Sequence, residues 1–285
     1  MNSYKEKVEN LKKEIASYVS DDVVIAFSGG VDSSLLLKTV CEASQAAGQG
    51  KVYGIFLHTM LHPSGDAEKA REVAQETGAE FLVLELNELE AAEIENNPAD
   101  RCYRCKKYLF GELRKKAEEL GVRTILEGTN EDDLHVYRPG IRAVHELGII
   151  SPLANAGFSK EEVRRLAKEY GISVSDRPST PCLATRFPYG SRLSYEDMRR
   201  VEKGEAHLKG LGFYNVRLRV HKDIVRIEVD SDALKSLMNF RKEITAYLKN
   251  LGYTYVTVDL EGFRSGSMDI PSTLLQKEAL SPPCL

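Results

Sequence analysis

Ser28, Gly29 and Gly30 close the apolar run VVIAF, and Val31, Asp32, Ser33 and Ser34 open a helical pattern directly after them. A glycine pair between a strand and a helix turns backbone N–H groups and the positive end of a helix dipole toward one anion. Ser33 and Ser34 add hydroxyl donors, and Asp32 is a carboxylate of the kind that places Mg²⁺ among phosphate oxygens. The lysine of a Walker-A loop is missing here. A plain turn capped by Asp or Ser would need only the glycines, whereas the unbroken string SGGVDS favours a phosphate cradle. A second polar string, EGTNEDD from Glu127 to Asp133, ends a later apolar run, and its carboxylates are candidates for the nucleotide or its metal.

The thiols offer another chemistry. Cys41, Cys102, Cys105, Cys182 and Cys284 are odd in number and unevenly spaced, which argues against a disulfide framework. Cys102 and Cys105 form a Cys-x-x-Cys placed just before a helix, a spacing shared by zinc sites, iron–sulfur sites and redox dithiols. Cys182 lies in PSTPCLATRFPYG, a loop in which Arg177 and Arg186 would favour a thiolate. Three thiolates leave one corner of a 4Fe–4S cluster without a cysteine, and zinc with three cysteines and water, His135 or His145 is equally compatible with these residues. Cys41 reads as core and Cys284 as tail.

These residues need a scaffold that gathers them. From Val23 onward buried-strand runs alternate with helical periodicity, which predicts an α/β fold with a mostly parallel, doubly wound sheet and ligands at the carboxyl ends of its strands. Ser159 and Glu162 form a capping box that starts a further helix. Past about residue 192 the rhythm becomes helix, hairpin, helix, strand, a smaller α+β domain of about 80 residues. The expected division is 1–192, 193–270 and a tail over 271–285. The 285 residues carry a net charge of −4 with well mixed signs, which offers no extended footprint for a nucleic-acid backbone. No apolar run approaches the roughly 20 residues that span a bilayer, and the charged first helix lacks a signal-peptide core, so a cytoplasmic protein without membrane partners is expected.

The string SGGVDS resembles the PP-loop of the N-type ATP pyrophosphatases, the adenylating enzymes that include NAD synthetase, GMP synthetase and tRNA thiolases. The resemblance implies ATP as cofactor, Mg²⁺ near Asp32, and a loop that grips departing pyrophosphate, which accounts for the missing lysine. Together with PCLATRFPYG, VEKGEAHLKGLGF, NVRLR and EGFRSGS, the chain over about residues 1–270 resembles the LarE family of ATP-dependent sulfur transferases. That resemblance implies adenylation of a carboxylate of pyridinium-3,5-biscarboxylic acid mononucleotide and its conversion to a thiocarboxylate, a step toward the nickel-pincer nucleotide of lactate racemase and related enzymes. Members with one cysteine sacrifice the sulfur at the position of Cys182. Members with three hold a 4Fe–4S cluster, so the resemblance assigns Cys102, Cys105 and Cys182 as ligands and cluster-bound sulfide as the sulfur source.

The same resemblance gives Arg217, Arg219 and Arg264 to the substrate phosphate, a role suited to two arginines alternating on one strand face. It sets Glu205 and Glu228 near substrate or metal, while Arg186 is a catalytic candidate by its place beside Cys182 and Glu127 a nucleotide candidate by its place at a strand end. It further implies a symmetric homo-oligomer, such as a hexamer, and a separate sulfide donor. Three other readings compete. A tRNA thiolase would need a basic surface, an ammonia-using ligase leaves the three cysteines without a role, and a nucleotide-binding protein with structural zinc would catalyse nothing.

Overall fold

The computed structural model describes residues 3–136, 138–177, 181–264 and 266–268. Contacts divide the chain into two units, residues 1–94 with 100–180 and residues 95–99 with 181–285. The expected tail over 271–285 lies outside the described residues, as does Cys284.

In the first unit α1 (Tyr4–Ala16) begins at a capping box between Ser3 and Glu6. The apolar strand β1 (Val23–Phe27) then leads through Ser28-Gly29-Gly30 into α2 (Val31–Ala47). The pattern repeats with β2 (Val52–His58), α3 (Asp66–Thr77) and β3 (Glu80–Glu85). A short α4 (Glu88–Ala91) precedes α5 (Arg101–Glu119) and β4 (Thr124–Leu126). Four further helices follow: α6 (Glu131–Leu134), α7 (Gly140–Glu146), α8 (Pro152–Asn155) and α9 (Lys160–Glu169), the last capped by Ser159 and Glu162 as expected.

The strand order is β3-β2-β1-β4 and every pair is parallel. Val23, Ile25 and Phe27 point into a core shared with Leu35, Leu36 and Val163, while Val24 points into one shared with Leu109 and Leu113. Burial on both faces is why β1 reads as an unbroken apolar run instead of an alternating one. Because β2 and β4 flank β1 on opposite sides, the connections after β1 and β4 part at the carboxyl edge, where such sheets bind ligands.

In the second unit α10 (Tyr195–Gly210), capped by Ser194, precedes the antiparallel pair β5 (Val216–His221) and β6 (Ile224–Val229). The single helix expected after the hairpin is two, α11 (Leu234–Asn239) and α12 (Arg241–Asn250). The break falls at Phe240, whose backbone leaves helical geometry and whose ring packs edge-on against Phe213, with centroids 5.9 Å apart. The final strand β7 (Tyr255–Val258) pairs parallel to β6.

The division falls near residue 180, ahead of the expected 192. Asn97 Nδ2 donates to the carbonyls of Phe187 and Pro188 at 3.1 and 2.7 Å, and the Gly190 amide donates to the Asn97 carbonyl at 3.0 Å. These bonds tie residues 95–99 to the stretch after Pro181, so the turn that carries Cys182 belongs to the second unit. Among the described residues no helix is long and apolar enough to cross a membrane.

Glu88, the first residue of α4, is fully buried, and among the described residues neither carboxylate oxygen has a hydrogen-bond partner of ordinary geometry. Burial pushes its pKa from 4.5 up to about 7, and the neighbouring Leu61 amide, Thr59 and His58 offset this only in part. The unfolded chain gives up this proton near pH 4.5 and the folded chain near 7, so stability is lost as pH rises through that window. The melting temperature of the wild type should therefore fall between pH 5 and 8 more steeply than that of Glu88→Gln. At pH 8 the variant should gain on the wild type by about 1–3 kcal/mol relative to pH 5. Parallel pH profiles would show that the carboxyl is already ionised in the fold.

Candidate functional site

At the end of β1 the backbone reverses at Gly29, whose φ is +68° and whose missing Cβ would stand 3.0 Å from Ala70. Only glycine meets both demands without strain. Gly30 caps α2 without a side-chain acceptor, which leaves the first-turn amides to whatever anion the loop receives. Ser33 is drawn inward, its hydroxyl 3.0 Å from the Ser28 hydroxyl and 3.2 Å from the Gly30 carbonyl. Ser34 and Val31 are buried, and the Ser34 hydroxyl has no partner among the described residues. Opposite the loop, Gly128 lies so close that a Cβ there would stand 2.9 Å from the Ser33 amide. The segment after β4 is thereby pressed onto the loop after β1.

That approach brings EGTNEDD to Asp32. Asn130 Nδ2 donates to Asp32 Oδ1 at 3.0 Å, and Lys160 Nζ forms an ion pair with Asp32 Oδ2. The Lys160 amide also donates to Asp132 at 2.8 Å. Glu127 is 5% exposed and accepts from the Thr129 amide, the Ser151 hydroxyl and, at 3.3 Å, Lys106 Nζ. Burial alone would raise its pKa, but Lys106 and those two donors outweigh burial and hold Glu127 ionised below the usual carboxylate range. Asp133 behaves oppositely: burial raises it despite an ion pair with Arg138 at 3.0 Å.

Lys160, Lys106 and Ser151 were not legible from the motifs, and Asn130 stands inside EGTNEDD, of which only the carboxylates were singled out. For Lys160 a signal existed. A lysine at the first position of a helix opposes the macrodipole, and such a choice marks a position fixed by something other than helix stability.

The thiols stand in both units. Cys102 and Cys105 lie within the first two turns of α5 instead of before it, three residues apart and therefore on one face, with Cys102 exposed and Cys105 half-buried. The helix begins earlier than expected because Asp100, at its N-cap, also pairs with Arg104. Cys182 is half-buried at the entry to a 3₁₀ turn, Leu183–Arg186. Cys41 is a core thiol, pushed up to about 11 by burial. Among the described residues none of these is in a disulfide, and no three His, Cys, Asp or Glu side chains are gathered to hold a metal. His135 is engaged with Glu131 at 2.8 Å.

The second unit holds a layered set of arginines. Arg186 is 1% exposed and meets Glu205 through two parallel bonds of 2.9 Å, with Nη1 on the carbonyls of Pro181 and Cys182. Its guanidinium thus serves Glu205 and backbone carbonyls, where the sequence suggested support of the Cys182 thiolate. Arg177, given the same role, pairs with Asp66 at 2.5 Å inside the first unit. Arg219 is buried against Glu228 at 2.9 Å, and Arg226, which no motif singled out, reaches the other oxygen of Glu228 at 3.1 Å. Arg264 pairs with Glu261 at 2.8 Å and Asp259 at 3.4 Å.

Arg217 differs from these. It makes no ion pair among the described residues, lies over the Phe263 ring at 5.1 Å, and its protonated form is disfavoured by burial and by Arg186. A half-buried guanidinium without a carboxylate is suited to an incoming anion.

A parallel sheet with an uncapped Ser-Gly-Gly helix start and an acidic residue in its first turn defines an ATP-using enzyme of the PP-loop class. The family model described as NAD synthase matches residues 3–106. The chain is 36% identical over 254 residues to the pyridinium-3,5-bisthiocarboxylic acid mononucleotide synthase of Lactiplantibacillus plantarum, covering 89% of this chain and 91% of that one. It belongs to the family of that synthase. An uncharacterized protein of Synechocystis is 37% identical over 265 residues, 92% of this chain and 97% of its own. More distant is the glutamine-hydrolyzing GMP synthase of Aeropyrum pernix, 29% identical over 221 residues, 70% of this chain and 41% of the relative.

Replacing Lys160 by Ala should lower ATP-dependent pyrophosphate release by about 10²-fold, the scale of losing one preorganised charge at a developing anion. The melting temperature should change little, since Lys160 is partly exposed. Undiminished release would confine Lys160 to holding Asp32.

Proposed function

We propose that this chain adenylates a carboxylate of pyridinium-3,5-biscarboxylic acid mononucleotide with ATP and then exchanges the adenylate for sulfur. The observation that carries the reading is the pairing, in one family member, of an adenylating loop with an arginine, Arg217, that has no carboxylate partner among the described residues. The first feature supplies activation and the second suits a phosphate-bearing substrate.

In the first step a carboxylate oxygen attacks the α-phosphorus of ATP and the bond to the β-phosphate oxygen breaks. Pyrophosphate leaves onto the amides of Gly29 to Ser34, with the Ser33 and Ser34 hydroxyls as further donors. Asp32 would hold Mg²⁺ once Lys160, which now neutralises it, carries its charge to the phosphates. Glu127, kept ionised by Lys106, adds a fixed negative charge at the same edge. In the second step sulfur attacks the activated carbonyl, the bond to the AMP oxygen breaks, and AMP departs with that electron pair.

The donor set fits an iron–sulfur group by its chemistry: two thiols one turn apart on α5 and a third on a short turn, none of them in a disulfide among the described residues. Cys102, Cys105 and Cys182 would hold a 4Fe–4S cluster, which supplies sulfide when bound. Arg217 and Arg264 would receive the mononucleotide phosphate, with Arg219 behind them. A sulfide donor, a homo-oligomeric assembly and a reducing cytoplasm that preserves free thiols complete the reading.

The test is incubation of the full chain, prepared without oxygen, with ATP, Mg²⁺ and the dicarboxylate mononucleotide. Pyrophosphate, AMP and a product in which sulfur has replaced oxygen should appear, with about four irons bound per chain. Cys102→Ala should lose iron and repeated turnover while still releasing pyrophosphate. Absence of iron, with the protein mass falling once by one H₂S after a single turnover, would instead make Cys182 the sacrificed donor. Absence of pyrophosphate release would end the proposal.

A further inference from the structure

The turn that presents Cys182 is fastened from two sides by buried ion pairs. On one side Arg186 is held by Glu205 through two bonds of 2.9 Å, and Glu205 also accepts the Leu218 amide of β5 at 3.0 Å. The same guanidinium donates to the Cys182 carbonyl at 3.2 Å and to the Thr185 hydroxyl at 3.0 Å. Thr185 completes the lock, its hydroxyl donating to the Cys182 carbonyl at 2.7 Å and its amide to the same oxygen at 3.1 Å. On the other side Arg219 is held by Glu228, and its Nη1 donates to the Thr185 carbonyl at 3.0 Å. Three donors therefore converge on one carbonyl, that of Cys182.

Glu205 is 4% exposed, Arg219 4% and Glu228 0%. Each carboxylate is satisfied by arginine or backbone before any ligand arrives, which is the condition of a strut and not of a vacant ligand.

We infer that Glu205 and Glu228 are positioning residues: acting through Arg186, Arg219 and Thr185, they fix the turn and hence the direction of the Cys182 thiol. The inference rests on the proposed role of Cys182 in sulfur transfer. It separates two jobs that the alternation of Arg217 and Arg219 would merge. Arg217, without a carboxylate among the described residues, is left for substrate, whereas Arg219 spends its donors on Glu228 and on the turn.

The experiment compares the wild type with Thr185→Val, Glu205→Gln and Glu228→Gln. It reads the rate at which iodoacetamide alkylates Cys182, followed by peptide mass, in the full chain prepared without added iron. It also reads the Kd of pyridinium-3,5-biscarboxylic acid mononucleotide and the kcat and KM of sulfur transfer. Thr185→Val keeps the side-chain shape and so keeps the inference testable if the buried-pair variants fail to fold. A several-fold change in the alkylation rate in Thr185→Val, restored in Thr185→Ser, is expected. So is a fall in kcat of about ten-fold or more with Kd within two-fold of the wild type. An unchanged alkylation rate would overturn the inference, and so would Glu228→Gln weakening mononucleotide binding as much as Arg217→Ala does. Should the wild type transfer no sulfur, the functional reading fails, yet the alkylation rates still decide whether these residues hold the turn.

Discussion

An ammonium and a carboxylate meet where two helices begin, Lys160 of α9 upon Asp32 of α2, and this contact organises the edge of the parallel sheet. Two helix N-termini that converge bring like partial charges together, and a lysine among them adds to the repulsion. Asp32 offsets it, with Asn130 as a second tie. The surplus of positive character that remains is what a polyphosphate with its metal requires. The strand order decides that these groups meet at all, because β4 lies beside β1 and delivers Glu127 to Asn130 next to the turn that β1 feeds.

In the second unit the electrostatics are arranged by depth. The buried carboxylates Glu205 and Glu228 neutralise Arg186 and Arg219, and among the described residues Arg217 is left without one. Burying an ion pair stabilises little by itself, but breaking one leaves a lone buried charge, so such pairs are rigid fixtures. Rigidity is what they lend to the turn that bears Cys182.

Much of this was readable from the chain. The run VVIAF followed by SGGVDS announces a strand, a turn and a helix start by local rules alone, and Ser159 with Glu162 announces another. Partnerships between distant segments were not readable. Lys160 finds Asp32 across 128 positions, and Arg186 finds Glu205 across two elements, through register and packing that periodicity does not encode. Single-residue side-chain preferences also misled in one place: the pattern continued through Phe240 as one helix, whereas the helix breaks there, where the ring meets Phe213.

Residues 95–99 leave one unit for the other and return within a few positions, and Asn97 accepts a left-handed backbone, φ +48°, at full burial to do so. During synthesis this segment emerges well before Phe187, Pro188 and Gly190, the residues it will bind. At roughly 5–20 residues per second the wait is on the order of ten seconds. The nucleotide unit therefore begins to form around a loop whose destination does not yet exist. Neither unit can be cut out as one continuous piece of the chain.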